Sequence, residues 1–372
     1  MKDNNKLEKN KNKPDFIILL TVMSLLMIGL IMVFSASSIR SFNIFGSSFH
    51  FFKRQLMTAG LGLIAMIITM NIDYHLYKKF SKLILFLTFF LLIIVLIPGI
   101  GQFRGGSRRW IDLGFFGFQP SGVAKLGIVI YFSHYLSKKR DKLNDFINGL
   151  LPVLIILGLT FLLILLEPDL GTAITIALSA FTLIFVAGAR ILHITILGFS
   201  GVLAILYFIY SSDYRRERFT AFLDPWEDPL DSGYHIIQSL LALGTGGFFG
   251  VGIGNSKQKF LYLPEPGTDF IFAVLGEELG FVGVFIVISL YLLFFWRGIR
   301  IAHRAPDVFG SLLAIGITSM IIIQVFINIG VVSATIPVTG ITLPFISYGG
   351  SSLLIMLSGV GILLNISSNF KN

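Results

Sequence analysis

The sequence predicts an all-α integral membrane protein with ten transmembrane helices, both termini cytoplasmic, and a large extracytoplasmic loop between helices 7 and 8. Three observations predict it. Hydrophobic residues make up 55 % of the 372 residues and charged residues 13 %, against roughly 25 % charged in a soluble domain. The apolar residues come in blocks close to the ~20 residues that a helix needs to cross the hydrocarbon core. The basic residues favour one set of alternate loops. This composition excludes a disordered chain, a fibrous repeat and almost any soluble enzyme. Cysteine is absent, which removes disulfides, thiolate nucleophiles and Cys-based metal sites.

Residues 1–14 read as a cytoplasmic basic tail and 15–372 as one membrane domain. The first span, 16–35, follows five lysines, as a secretory signal would, but its apolar run exceeds the 7–15 residues typical of a signal core. It is therefore read as uncleaved. Spans two (56–72) and three (80–97) follow, the former with Gly60 and Gly62, small residues that let helices approach in lipid. Span four is 120–136, span five 150–166, span six 171–188 and span seven 191–210. Only Ala189 and Arg190 separate six from seven, a tight hairpin. The loop 211–268 precedes span eight (269–296), span nine (308–337) and span ten (351–367), the last with Gly359 and Gly361. Of the 29 basic residues, 17 fall on the face of the termini, including Lys78, Lys79, Lys82, Lys138, Lys139, Arg140 and Arg297. The positive side faces the cytoplasm, so the formal charge of +9 records topology and calls for no nucleic acid.

Charge inside or beside a span is costly and usually functional. Lys125 in span four, Asp269 at the mouth of span eight, and Glu277 and Glu278 two turns deeper all sit in or near the outer leaflet half. Lys125 lies roughly 8 Å below its span's outer end and Glu277 about 12 Å below Asp269, at 1.5 Å per residue. The structural alternative is snorkelling of a long side chain. In the loop before span four, Arg108 and Arg109 adjoin Trp110; two such arginines can clamp a phosphate or can flank an interfacial aromatic anchor. Glu167 and Asp169 read as two solvated carboxylates of the turn between spans five and six. Thr268 or Asp269 can serve as a helix cap. The long loop holds an amphipathic stretch, 234–243, suited to the interface. The six glycines of 244–254 lack the G-K-[ST] ending and strand–helix setting of a nucleotide loop. The six histidines are scattered and read as structural.

Taken together, several segments resemble the SEDS family (shape, elongation, division and sporulation), which includes FtsW, RodA and SpoVE. They are Arg109-Trp110, Gln119-Pro120-Ser121 with Lys125, Pro168-Asp169-Leu170-Gly171-Thr172, Gly233-Tyr234-His235-Ile236-Ile237-Gln238-Ser239 and Leu263-Pro264-Glu265. Thr268-Asp269-Phe270-Ile271-Phe272-Ala273, Pro337, Gly340 and Leu343-Pro344-Phe345-Ile346-Ser347-Tyr348-Gly349-Gly350-Ser351 complete the set. Phe222-Leu223-Asp224-Pro225-Trp226 and Glu167-Pro168-Asp169 look more like FtsW or SpoVE than RodA.

The resemblance implies polymerisation of lipid II into peptidoglycan strands at the outer face of the bacterial cytoplasmic membrane, at the division septum. Asp269 carries over as catalytic, Arg109 and Lys125 as substrate-cavity residues. Arg108, Trp110, Glu277, Glu278, His235, Gln238, Ser347 and Tyr348 join them as substrate-binding candidates. The implied partners are lipid II, the undecaprenyl pyrophosphate-linked glycan, a class B penicillin-binding protein, other divisome membrane proteins and the bilayer. A divalent cation, Mg2+ or Mn2+, is implied with no legible ligand set. Chemically, transfer from a pyrophosphate lipid needs a base for the acceptor hydroxyl and positive charge for the leaving group. Two departures stand out. Gly122 replaces the family's usual Glu, three residues before Lys125, and makes Glu277 or Glu278 the expected partner of that lysine. Gly267 replaces a residue that is often His or another polar type. The competing functions are a lipid II flippase, a RodA-type elongation polymerase, an ion-coupled transporter and a noncatalytic division scaffold.

Overall fold

A computed structural model describes residues 13–370 apart from 105–106, 113, 115–116 and 261. Lys2, Lys6, Lys9, Lys11 and Lys371 of the orientation argument lie outside the described residues, as do Gly105, Gly106 and Leu113 of the outer loop. Eight helical segments are long and apolar enough to cross a membrane. They are α1 (Phe16–Phe45), α2 (His50–Asn71), α3 (Tyr74–Leu96), the segment Phe146–Leu166 that contains α5 (Leu151–Leu166), α7 (Ile191–Tyr210), α10 (Ile271–Arg304), α11 (Val308–Val332) and α12 (Gly350–Ser368). The expected fourth and sixth spans fall on α4 (Pro120–Lys138) and α6 (Leu170–Val186). Neither meets the same standard: α6 has 17 residues, and α4 carries Lys125, His134 and several small residues that dilute its apolarity. The long loop contains α8 (Asp213–Leu223) and α9 (Tyr234–Thr245).

One element departs from a purely helical reading. The segment before α4 forms a small antiparallel sheet of β1 (Gly101–Arg104), β2 (Ser107–Asp112) and β3 (Gly117–Phe118), in the order β1-β2-β3. Gln102 pairs with Trp110 and Phe103 with Arg108, so Arg109 is the extra residue of a bulge. A bulge breaks the alternation of a strand and re-aims a side chain.

The helices are layered by burial. In α11 and α12, 72 % and 78 % of the most apolar window is buried, in α7 none of it. The first two therefore form the core, and α7 lies at the periphery of the bundle. Close approach at the core uses small residues, as expected: a Cβ on Gly361 of α12 would stand 2.0 Å from Thr69 Oγ1 and 2.3 Å from the Met66 carbonyl on α2. Thr69 also donates across this seam to the Ser358 carbonyl, 3.0 Å. On the basic face, Asp15 caps α1 through the N–H groups of Ile17 and Ile18 and pairs with Arg297 of α10. Its own N–H donates to Ser367 of α12, 2.9 Å.

The eighth span is not the single run read from the sequence. Gly280 inside α10 has φ 64° and breaks the helix. Backbone polar groups exposed by such a break must be satisfied within the protein, and the glycine-rich stretch after α9 does this. Val251 and Gly252 donate to the carbonyls of Glu277 and Glu278, each 3.0 Å, while Phe281 N–H donates to the Gly247 carbonyl and Val282 N–H to that of Phe248. A Cβ on Gly280 would stand 2.2 Å from the Gly250 nitrogen. The glycines of 244–254 thus serve backbone-on-backbone packing, in keeping with the absence of a nucleotide-loop signature.

Candidate active site

The proposed base lies where the long loop meets the bundle. Asp269 precedes the first turn of α10, and the residue at the helix boundary is Phe270, which makes no side-chain cap. Neither Thr268 nor Asp269 caps this helix: the backbone turns through Thr268 and Asp269 under the control of other segments. Asn328 of α11 donates to the Asp269 carbonyl, 2.8 Å, and Ser347 donates to the Thr268 carbonyl, 2.6 Å. The Tyr348 N–H donates to the Gly267 carbonyl, 2.8 Å. Three consecutive carbonyls are therefore held by the polar end of α11 and by the segment before α12. Gly267 leaves a gap beside Ser37, whose Cβ would meet an added Cβ at 3.5 Å.

The Asp269 carboxylate itself accepts no hydrogen bond from the described residues. Gly340, at φ 73°, brings backbone against it: an added Cβ would stand 3.6 Å from Asp269 Oδ2. Burial pushes the Asp269 carboxyl up to about 6, and Glu265 adds to this; Arg218 and Arg109 oppose it, and Asp169 adds a smaller push. Those four charges define the electrostatic surroundings of the base.

Asp169 is the second centre. It is 4 % exposed, caps α6 through Thr172 N–H, 3.1 Å, and accepts from the Thr172 hydroxyl and from Gln119 Nε2, 3.1 Å. Arg109 Nη1 approaches it at 3.9 Å. Glu167 is fully buried and neither carboxyl oxygen has a hydrogen-bond partner. Burial pushes its carboxyl up to about 9, with Asp169 adding and Arg109 opposing. The expectation of two solvated turn carboxylates is thus overturned, because the α5–α6 turn is covered by the sheet before α4.

Arg108 and Arg109 do not act as a matched pair. Arg108 is exposed, whereas the bulged Arg109 turns onto the α5–α6 turn, donating through Nε to the Glu167 carbonyl, 3.1 Å, and through Nη2 to the Pro168 carbonyl, 2.7 Å. Trp110, half-buried, follows on the same strand.

Lys125 is buried, 8 % exposed. Its expected pairing with Glu277 or Glu278 is not formed. Lys125 Nζ instead donates to Gln324 Oε1 of α11, 2.9 Å, and Gln324 Nε2 donates on to the Thr342 carbonyl, 2.8 Å. Both glutamates are spent beneath the long loop. Glu277 accepts from the Ser256 hydroxyl and from the N–H of Lys257, 2.9 Å; Glu278 accepts from Ser35 of α1 and pairs with the buried Lys259, 3.1 Å. They fasten the loop to α1 and α10.

Of the remaining candidates, His235 stacks on Phe270 with centroids 5.8 Å apart, and burial together with Arg218 holds its imidazole below the usual range, against Glu265. Gln238 is half-buried on the same helix. Ser347 and the Tyr348 backbone hold the Asp269 turn, and the Tyr348 ring packs edge-on to Phe51. Sequence reasoning missed Gln324, Asn328 and Arg218. The first two are polar residues one turn apart inside an apolar span, a signal that was legible. Among the described residues no three His, Asp or Glu side chains come together as a metal-binding group.

Comparison with known proteins places this geometry. The model of a family of cell cycle proteins, FtsW, RodA and SpoVE, matches residues 16–372. Stage V sporulation protein E of Bacillus subtilis (strain 168) is 53 % identical over 357 residues, which span 96 % of this chain and 98 % of that protein. A probable peptidoglycan glycosyltransferase FtsW of Geobacter sp. (strain M18) is 46 % identical over 357 residues, 96 % and 97 % of the two chains. A solved chain from a study of how a peptidoglycan synthase complex coordinates polymerization and crosslinking has a TM-score of 0.77 at 29 % identity, covering 95 % of this chain and 97 % of that one. The rod shape determining protein RodA of Thermus thermophilus has a TM-score of 0.68 at 27 % identity, covering 99 % of each chain.

Proposed function

Since the chain belongs to the FtsW, RodA and SpoVE family of cell cycle proteins, we propose that it is a peptidoglycan glycosyltransferase that polymerises lipid II at the outer membrane face, with Asp269 as general base. The observation that carries this reading is a half-buried carboxylate raised towards neutrality, without a hydrogen bond from the described residues, on a backbone whose three consecutive carbonyls are fixed by Asn328, Ser347 and Tyr348. A base works best with a pKa near the operating pH. Asp269 takes the proton of the acceptor sugar hydroxyl, whose oxygen attacks the anomeric carbon of the donor. The bond from that carbon to the pyrophosphate breaks, and the lipid pyrophosphate departs with the electron pair. Lys125 supplies positive charge to the leaving group, an effect that is large in a low-dielectric site. Arg109 contributes its charge from the α5–α6 turn, where it also orders Asp169. A divalent cation, Mg2+ or Mn2+, as the family implies, would arrive with the substrate pyrophosphate and add to this positive charge.

By the same reading the chain works at the site of division, beside a class B penicillin-binding protein that cross-links the product. Similarity to a chain of a peptidoglycan synthase complex supports that pairing.

The test is a polymerisation assay. The purified full-length chain with its penicillin-binding partner is given labelled lipid II, and glycan length is read on a gel. Wild type should polymerise, and Asp269→Asn should fall by about 10²–10⁴-fold, the usual worth of a general base. Equal polymer from both would remove Asp269 from the reaction. Absence of polymer with lipid II scrambling retained in vesicles would instead favour a flippase.

A further inference from the structure

On the basic face, at the far end of the bundle from Asp269, lies a cavity of about 410 Å³ that the transfer reaction does not use. Lys78 of α3, His134, Ser137 and Lys138 in the last turns of α4, and Asp307 and Phe309 at the start of α11 line it. Its charges are unequally committed. Asp307 caps α11 through the Gly310 N–H, 2.7 Å, accepts from the Tyr74 hydroxyl, 3.2 Å, and faces His75 Nε2 at 3.3 Å. Lys78 and Lys138, by contrast, have no ion pair among the described residues; the Lys78 ammonium sits 5.7 Å from the Phe309 ring centre. Lys82 lies one turn further along α3. His134 Nδ1 is buried and has no hydrogen-bond partner. Two ammonium groups without an ion pair among the described residues, beside a ring nitrogen that donates in one of its tautomers, suit an acceptor-only anion.

The position of the cavity says which anion. Lys138 is the last residue of α4, while Tyr74 and Val308 open α3 and α11. The cavity therefore opens at the level of lipid headgroups. On α3 the apolar side chains Leu76, Phe80 and Leu83 are exposed on the helix face turned away from Lys78, so the outer side of α3 is a surface fit for acyl chains. Basic pockets between membrane helices recognise anionic headgroups in this way. We propose that this cavity binds the phosphate headgroup of an anionic membrane lipid in the leaflet of the basic face. Such a lipid would bridge α3, α4 and α11. Because α4 carries Lys125 and α11 carries Gln324 and Asn328, it would brace from the opposite leaflet the two helices that hold the site.

The experiment uses the purified full-length chain in detergent, titrated with phosphatidylglycerol, with phosphatidylcholine, and with inorganic phosphate. Thermal midpoint and retained lipid adducts by native mass spectrometry are read in each case. Phosphatidylglycerol should raise the midpoint and leave one tightly held adduct, and the other two should do neither. The Lys78→Ala, Lys138→Ala double variant should bind phosphatidylglycerol on the order of 10–30-fold more weakly. An Arg300→Ala, Arg304→Ala control on the same face should bind it as wild type does. Equal responses to the two lipids, or undiminished binding by the double variant, would overturn the proposal. A response to inorganic phosphate as strong as to phosphatidylglycerol would show a free-anion site and overturn the lipid. Should the double variant not fold, salt titration of wild type decides: affinity for phosphatidylglycerol should fall as salt rises, and a salt-independent affinity would count against the ammonium groups.

Discussion

Asp269 owes its raised carboxyl to burial and to nearby Glu265, and Lys125 owes its setting to Gln324, distant in the chain. Burial and Glu265 raise the Asp269 carboxyl to about 6, and as the proposed base it would be competent only when deprotonated. Polymerisation should therefore rise with pH through about 6 and level off above it. Glu265→Gln removes one of the charges that raises Asp269, so the acid limb should move to lower pH; an unmoved limb would show that another group sets it. Lys125→Ala should lower turnover, and unchanged turnover and lipid II affinity would reduce Lys125 to a packing role. Glu167 offers an independent check. Its carboxyl, about 9 in the folded chain, lies far above an ordinary glutamate near 4.3. The folded state therefore holds a proton that the unfolded chain releases, and the resulting stability is present below about pH 4 and lost as pH rises towards 9. Glu167→Gln should raise the thermal midpoint at pH 7–8, with the gain shrinking towards pH 4–5. The deviation of this chain at Gly122 also finds a physical setting. Lys125 has taken Gln324 as partner, and a Cβ at position 122 would stand 2.9 Å from Ile355 Cδ1, the flexible end of a side chain. The missing Glu was visible in the sequence; its replacement by a residue about 200 positions away was not.

Among the elements, the broken α10 and the loop that fills it form one unit. Gly280 has both a left-handed φ and a backbone neighbour at 2.2 Å from its absent Cβ, so Gly280→Ala should cost more than the ordinary ~1 kcal/mol scale of a helical glycine change and appear as a clear drop in thermal midpoint. Beneath the same loop, Lys259 and Glu278 are 5 % and 1 % exposed. Removing one partner of a buried ion pair typically costs about 3–5 kcal/mol, whereas replacing both with apolar residues is often close to neutral. Lys259→Met and Glu278→Leu should each destabilise strongly and the double variant much less. Additive losses would show that the two side chains act independently. The sequence exposed two acidic residues inside an apolar span and rightly marked them as unusual. With Gly122 in place of the family's usual Glu it offered one of them to Lys125, and position along a helix says nothing about the direction a side chain faces around it.

At the scale of the whole molecule, the Lys/Arg bias predicts which face lies in the cytoplasm. The absence of cysteine makes this easy to test, since a single introduced cysteine is the sole thiol. Arg108→Cys should react with a membrane-impermeant maleimide in intact cells freed of any outer membrane, and Lys139→Cys should react only after lysis. The reverse pattern would invert the topology. Composition and Lys/Arg bias determined by themselves that the chain is a multi-pass helical membrane protein, because transfer from water to lipid is a sum over consecutive residues. The order of the short motifs was likewise enough to mark the family. Only the tertiary structure decided which polar groups meet. Lys125 found Gln324, the bulged Arg109 closed over the α5–α6 turn, Asn328 and Ser347 fixed the Asp269 backbone, and the glycine-rich loop entered the break in α10. These are contacts between residues distant in sequence, set by the close packing of helices and by the need to satisfy every buried polar group, and no local pattern encodes them.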